Sequence, residues 1–304
     1  AMIDLSARAD TILDKWIDEL KDTTSRSHWR QYDGYARNWI KPQIGGMKIS
    51  RITEQHLQDV ITLAFKGGLS HKTLCNVRAC LGGFFKYCRK GSLTALRPEN
   101  LTIPKGAKKS DKTILQPSDI RALFSSDITT WKGKPTPDWF IHAYRFAVTT
   151  GLRPGELIGL EWKNVNSGKV FIVGSINNDG QHTHGKNDNA RRTFALSKIA
   201  EKELEQQRAM LKKAGLISPY VFPRQDGDFV RQTAFERAWN RYCTHNGLPK
   251  TSPYELRHTF VSVNKDMPEA LLKAVVGHSE NMDTQGTYGH AVQGDMQRAA
   301  NMID

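Results

Sequence analysis

A stretch with several lysines and prolines, PENLTIPKGAKKSDK at residues 98–112, divides the chain into two parts with different hydrophobic patterns. Before it, apolar residues recur every three or four positions, as in amphipathic helices. After it, helical spacing is interrupted by two β-like runs at residues 169–176 and 191–197. A length of 304 residues favours two domains. We predict a helical domain over 1–100, a basic linker over 101–112 and a second domain over 113–304.

The apolar spacing predicts most of the secondary structure. Stripes at 12–20, 29–40, 57–63 and 74–88 indicate a four-helix N-terminal unit, with Thr53 and Ser70 as caps for the third and fourth helices. Further helices are predicted at about 138–150, 199–214, 231–246, 253–265 and 269–276. The two β-like runs are predicted to be joined by a polar turn. The predicted fold class is mainly α with a small β-sheet (α+β).

The charge balance points to an anionic partner. Lys and Arg total 44 against 31 Asp and Glu, a formal net charge of +13. A basic surface of this kind suits nucleic acid first and an anionic membrane second. No apolar run approaches the roughly 18 residues of a membrane span. The cysteines form no CxxC pair, so we expect a reduced, cytoplasmic protein rather than a disulfide scaffold.

Two stretches place arginines where they could bind an anion. In TTGLRPGELIGL, residues 149–160, Arg153 lies between a glycine turn and a new helix, with Glu156 near enough to hold it. In PYELRHTFVSV, residues 253–263, Tyr254, Arg257 and His258 fall on one helical face. A surface Arg–Glu pair and an ordinary amphipathic helix explain the two stretches equally well when each is taken alone.

Three further residues are candidates on weaker grounds. Lys186 lies in the polar turn between the β-like runs, where most lysines are simply solvated. VVGHSENMDTQGTYGH, residues 275–290, contains His278 and then Tyr288 between small residues, a setting that suits a reachable phenol. His182 and His184 have no acidic or cysteine partners at ligand spacing, so no metal site is predicted. Phosphate-loop and zinc-protease motifs are also absent from the sequence.

The sequence motifs TGLRPGE, LRHTF, VGHS and TYGH occur in this order along the chain, and Lys186 lies between the first two. This combination resembles the active-site motifs of the tyrosine recombinase (phage integrase) family. The resemblance implies a helical core-binding domain followed by a catalytic domain, and an integrase of a phage or integrative element. It implies that Tyr288 attacks DNA to form a 3′-phosphotyrosyl link, with no metal or cofactor. Arg153 and Arg257 would hold the phosphate, His278 would hydrogen-bond it, Lys186 would act as general acid and Glu156 would steady Arg153.

One position departs from the family, whose usual motif is His-x-x-Arg where this chain has Tyr254. Either Tyr254 serves as a hydrogen-bond donor only, or His258 shares the task. His258 could equally be a structural histidine.

The resemblance also implies the partners: double-stranded DNA at attachment or element-end sites, a homo-tetramer at synapsis and an accessory directionality factor. The linker cations Lys105, Lys108, Lys109 and Lys112 are candidate phosphate contacts, although a solvated tether explains them equally well. The two domains could then clamp a duplex. A type IB topoisomerase and a non-catalytic DNA-binding protein on the same scaffold are the alternative functions. Many family members carry a further N-terminal arm-binding domain, and none is expected within these residues.

Overall fold

The structure is a computed structural model that describes residues 6–109, 112–183, 191–279, 281–284, 290 and 292–293. The chain divides into two compact units, Ala1–Asp111 and Lys112–Asp304. Within the described residues, no helix combines the length and apolar character needed to cross a membrane.

The first unit is built from helices around one core. Its helices are α1 (Ala9–Thr23), α2 (Arg26–Tyr35), α3 (Lys41–Ile44), α4 (Glu54–Lys66) and α5 (His71–Lys90). A π-helical turn, Ala36–Ile40, joins α2 to α3, and a 3-10 turn, Ile49–Arg51, precedes α4. Thr53 and Ser70 stand at the N-caps of α4 and α5. The predicted stripes meet in the core, in which Trp16 of α1 packs against Phe84 of α5.

The predicted linker is not a free tether in this structure. Leu101 and Ala107 are buried in the core of the first unit. The backbone carbonyl of Lys108 accepts a hydrogen bond from the amide of His71 at 2.9 Å, and Gln58 bonds Thr102. The prediction of a separate linker over 101–112 is therefore wrong for residues 101–109, which pack on the first unit. Ile103, which is partly buried, also packs against this core, so apolar contacts and hydrogen bonds together hold the segment on the helices.

The second unit surrounds a larger core with helices. They are α6 (Pro117–Ser125), α7 (Ile141–Thr150), α8 (Pro154–Ile158), α9 (Lys198–Lys213), α10 (Gln232–Asn246), α11 (Pro253–Val263) and α12 (Glu269–Val276). Tyr144 of α7 packs in tilted and edge-on contacts against Phe235, Trp239 and Tyr242 of α10. The α11 helix is buried on almost all sides: nine of its 11 residues are shielded from solvent. The alternative explanation of 253–263 as an ordinary amphipathic helix is therefore wrong, because Arg257 and His258 on its polar face are buried.

The strands form small antiparallel sheets. They are β1 (Ile128–Trp131), β2 (Lys134–Pro137), β3 (Val165–Asn166), β4 (Lys169–Ile172), β5 (Ser175–Ile176), β6 (His182–Thr183) and β7 (Arg192–Ala195). β1 pairs with β2, β4 lies between β3 and β7, and β5 pairs with β6. The prediction of one strand over 169–176 is wrong, since the run breaks at Val173 and Gly174 and its two halves pair with different partners. The β1–β2 hairpin was not predicted.

Gly151 ends α7 where the chain must turn sharply towards the first arginine. Its backbone is left-handed, with φ of 66° and ψ of 20°. A Cβ atom at this position would lie 2.4 Å from Cδ1 of Phe260 on α11. Glycine is therefore required both by the backbone and by the close approach of α11.

We expect Gly151→Ala to destabilise the protein more than Gly247→Ala. Gly247 ends α10 with φ of 65° and ψ of 22°, yet a Cβ atom at this position would meet no other atom within 4 Å. The alanine at 247 should cost about 1 kcal/mol of backbone strain, whereas the alanine at 151 adds about 1–3 kcal/mol of overpacking. Urea unfolding of the full chain measures both free energies. Equal losses would contradict the packing argument.

Candidate active site

The first arginine lies at the turn between α7 and α8. Pro154 begins α8, and Arg153 immediately before it is extended, with φ of −67° and ψ of 146°. The carboxylate of Glu156 accepts a bond from the Arg153 backbone amide at 3.0 Å and from Nη1 of its side chain at 2.8 Å. The predicted contact between these two residues is thus present, with Glu156 buried and Arg153 about one third exposed (32%).

Arg153 also holds the end of α12. Its Nη2 donates to the carbonyl of Gly277 at 3.1 Å, and its Nη1 lies 3.4 Å from the carbonyl of Val276. The C-terminus of a helix carries unsatisfied carbonyls and partial negative charge, so a guanidinium stabilises it. His278 follows directly, after Gly277 turns the chain in a left-handed conformation.

Arg257 is fully buried on α11 and points at the same turn. Its Nη1 donates to the carbonyl of Gly151 at 2.8 Å, and its Nη2 donates to Nε2 of His278 at 2.6 Å. Burial first, and then the charge of Arg153, lower the pKa of Arg257 to about 10. The group remains charged at neutral pH. Two arginines from distant parts of the chain therefore meet beside one histidine.

His278 is held as a neutral ring in a defined tautomer. A guanidinium can only donate, so Nε2 must accept from Arg257 and the proton must lie on Nδ1. That Nδ1 donates to Oγ1 of Thr284 at 2.8 Å. Burial, followed by the charges of Arg257, Arg153 and Arg192, lowers the pKa of His278 to about 3. In this arrangement His278 contributes hydrogen bonds and no charge.

Tyr254 lies at the edge of the group formed by Arg153, Arg257 and His278, whereas the ring of His258 faces His290. Tyr254 and Arg153 both line a cavity of about 310 Å³ between the starts of α8, α10 and α11. The buried ring of His258 contacts the Tyr254 ring, with 5.5 Å between the ring centroids. Its Nδ1 lies 3.3 Å from Nε2 of His290 in the C-terminal segment.

Several of the predicted site residues either lie outside the described residues or do not join the group around Arg153, Arg257 and His278. Lys186, Tyr288 and His184 lie outside the described residues. His182 bonds the hydroxyl of Tyr220 at 3.0 Å through Nε2. The linker residues Lys105, Lys108 and Lys109 are exposed on the first unit, whereas Lys112 belongs to the second unit and forms an ion pair with Glu255 at 3.4 Å.

Sequence reasoning missed two residues of this network. Arg192, at the start of β7, grips both oxygens of Glu156 at 3.0 and 2.8 Å. Thr284 accepts the hydrogen bond from Nδ1 of His278. The Arg191–Arg192 pair was visible as a basic doublet next to a strand, but nothing in its spacing linked it to Glu156. A threonine six positions after a histidine carries no recognisable signal at all.

The network can bind and polarise an anionic group at its exposed edge, where Arg153 is accessible. Comparison with known proteins identifies the class. The profile described as "Phage integrase family" matches residues 114–294, more than half of the chain, and that of a "Phage integrase, N-terminal SAM-like domain" matches residues 10–63. The chain belongs to the phage integrase family. It is a tyrosine recombinase, a DNA strand transferase that carries out site-specific recombination, as its motifs predicted.

Two individual proteins with similar sequences support this family assignment. The chain is 24% identical over 292 residues to a "Tyrosine recombinase XerC-like" protein of Caldanaerobacter subterraneus subsp. tengcongensis, covering 86% of this chain and 73% of that protein. It is 23% identical over 277 residues to the ICEBs1 integrase of Bacillus subtilis, covering 84% and 72%.

Solved structures show the same fold across both units. The Tn1549 transposon integrase in complex with a circular intermediate DNA superposes with a TM-score of 0.82 at 18% identity, covering 98% of this chain and 100% of that one. A lambda integrase dimer bound to a COC′ core site gives a TM-score of 0.74 at 14% identity, covering 94% and 78%. The predicted fold class, helical with small sheets, is confirmed.

We expect Thr284→Val in this tyrosine recombinase to slow strand cleavage at least about ten-fold, because losing the group that fixes a catalytic histidine tautomer can cost far more. Valine keeps the volume and leaves the Nδ1 proton of His278 without its acceptor. Single-turnover cleavage gives the rate, and ¹⁵N chemical shifts of His278 give the tautomer. Thr284→Ser, which keeps the hydroxyl, is the control. Equal rates for the two variants would show that the Thr284 contact does not matter.

Proposed function

We propose that this recombinase cleaves and rejoins double-stranded DNA at specific attachment or element-end sites, and so integrates and excises a mobile element. The observation that carries the proposal is the convergence of Arg153 and Arg257 on the turn that bears His278. A phosphodiester is anionic and resists a nucleophile until its charge is compensated. Two guanidinium groups can engage its two non-bridging oxygens and stabilise the charge of the transition state.

We propose Tyr288 as the nucleophile. Its hydroxyl oxygen attacks phosphorus, the bond from phosphorus to the 5′ oxygen breaks, and a 3′-phosphotyrosyl link forms. Lys186 donates the proton that the departing 5′ oxygen takes up. The phenol loses its own proton to a base, for which His258 is our candidate. In support, His290 follows Tyr288 by two positions and lies 3.3 Å from His258.

His278 is proposed to hydrogen-bond the scissile phosphate, which requires a change from the arrangement described above. In the structure its Nε2 accepts from Arg257 and cannot donate. A phosphate oxygen near Arg257 would compete for that donor and release Nε2. The negative charge of the phosphate would also favour a proton on the ring. His278 would then donate to the phosphate while Arg257 turns towards it.

The remaining partners follow from the same proposal. Phosphate contacts by both units, including Lys105, Lys108 and Lys109, would supply salt-dependent affinity. Lys112 can contribute only if DNA displaces Glu255 from it. Exchange between two duplexes calls for four protomers, so we propose a homo-tetramer on DNA, acting in the bacterial cytoplasm, with a directionality factor as an accessory partner. A similar solved structure, a lambda integrase tetramer bound to a Holliday junction, supports the tetramer.

We expect a covalent protein–DNA adduct that depends on Tyr288. The probe is a nicked suicide duplex drawn from the DNA that flanks the coding sequence, incubated with the protein in EDTA and run on a denaturing gel. Tyr288→Phe should bind the duplex with unchanged affinity and give no adduct, since it lacks only the nucleophilic oxygen. An adduct formed by this variant would refute the assignment. Joining of a second duplex separates recombination from topoisomerase-like relaxation.

We expect Tyr254→Phe to slow cleavage about ten-fold or more and Tyr254→His to stay within about ten-fold of the parent, since donors to a phosphate oxygen carry effects of this size or larger. Phenylalanine retains the ring of Tyr254 and removes its hydroxyl, whereas histidine supplies another donor. The measurement is the single-turnover rate on the same duplex. A Tyr254→Phe variant as fast as the parent would remove Tyr254 from the phosphate site.

A further inference from the structure

Arg192 occupies the centre of the network without facing the solvent. Its side chain is only 6% exposed. Nη1 and Nη2 donate to the two oxygens of Glu156 at 3.0 and 2.8 Å, and Nε donates to the carbonyl of Val275 at 2.6 Å. A planar guanidinium fits this fork-to-fork geometry, and a lysine ammonium cannot reproduce it.

Glu156 is shared unequally between the two arginines that touch it. Arg192 uses two guanidinium nitrogens on the carboxylate, whereas Arg153 uses one and points its other terminal nitrogen at the Gly277 carbonyl. Arg153 is also the more exposed partner, at 32% against 6% for Arg192. The buried arginine therefore compensates the carboxylate, and the accessible one keeps capacity for another anion.

The charge balance of the site depends on this division. If Glu156 faced only Arg153 and Arg257, the group would hold one net positive charge. With Arg192 included, three arginines and one carboxylate leave two positive charges, while His278 is neutral. A phosphodiester carries one negative charge, and attack by a phenolate brings a second into the transition state. Two uncompensated charges suit that transition state better than one.

We propose that Arg192 is a positioning residue that neutralises Glu156 and thereby leaves Arg153 and Arg257 with uncompensated charge for the phosphate in the transition state. It also fixes where that charge lies. Arg192 holds the Val275 carbonyl and Arg153 holds the Gly277 carbonyl, so the two together clamp the last turn of α12 beside His278. This inference rests on the proposed cleavage function.

The test compares four variants on the nicked suicide duplex that gives the Tyr288 adduct with the parent chain. Arg192→Met removes the charge and the fork. Arg191→Met is the matched control, since it removes the same charge from the neighbouring, exposed position. Arg192→Met combined with Glu156→Gln removes both charges and restores two net positive charges. Arg192→Lys retains the charge without the fork.

Arg192→Met should reduce the single-turnover rate constant about 10- to 100-fold, as supporting partners of a reactive group commonly do, with little change in DNA affinity. Arg191→Met should match the parent. The double variant should recover about ten-fold over Arg192→Met, and Arg192→Lys should also cleave faster than Arg192→Met. A rate constant refers to folded, bound protein, so loss of active fraction alone does not lower it.

Three results would overturn the inference: Arg192→Met as fast as Arg191→Met, a double variant no faster than Arg192→Met, or Arg192→Lys as slow as Arg192→Met. If Arg192→Met does not fold, the double variant takes its place and should cleave within about ten-fold of Arg192→Lys; a folded double variant without cleavage contradicts the proposal. Failure of the parent chain to form any adduct would instead refute the proposed function.

Discussion

The buried carboxylate of Glu156 is the interaction on which the site depends. Burial alone would raise the pKa of Glu156, but hydrogen bonds and charge from Arg192, with the charge of Arg153, lower it to about 2. Removing one partner of a buried ion pair of this kind lowers the free energy of unfolding by about 3–5 kcal/mol. Because its partners come from the turn before α8 and from β7, and both arginines also bind the end of α12, one carboxylate aligns three segments that are far apart in the chain. The position of His278 follows from that alignment.

Burial, together with the same positive charge that suits a phosphate, lowers the pKa of His278 and keeps its ring neutral. His278 is surrounded by Arg257, Arg153, Arg192 and Lys273, and a further proton on its ring would add to their repulsion. Charge compensation in this site therefore belongs to the guanidinium groups, which stay protonated at all relevant pH values. The histidine is left with directional hydrogen bonds, fixed on one side by Arg257 and on the other by Thr284. The negative charge of a bound phosphate would act in the opposite direction and favour a proton on the ring.

Periodicity and local motifs predicted the helices and the Arg153–Glu156 contact because both are encoded over a few residues. The partners that come from elsewhere were not predictable in the same way. Arg192 follows Glu156 by 36 positions, and strand alternation does not identify a partner across the fold. The β1–β2 hairpin was missed because Pro135 and Pro137 argue against a strand; a two-stranded ribbon tolerates them, since proline lacks only the donor. Leu101 and Ala107 were too few to outweigh the polar composition of the predicted linker, yet each found a buried position in the first unit.

The unusual tyrosine at position 254 is understandable from the same charge balance. A histidine there would lie close to Arg257, whose charge interacts with Tyr254 in this structure, and near Arg153 across a shared cavity. Nearby arginines disfavour an imidazolium, as they do at His278, so a histidine at this position would work mainly as a neutral hydrogen-bond donor. A phenol is neutral at the same pH and supplies one donor as well. A tyrosine in place of the histidine therefore keeps the hydrogen-bond donor but lacks the second ring nitrogen, which could accept a proton. The neighbouring His258 is another candidate for that acceptor role.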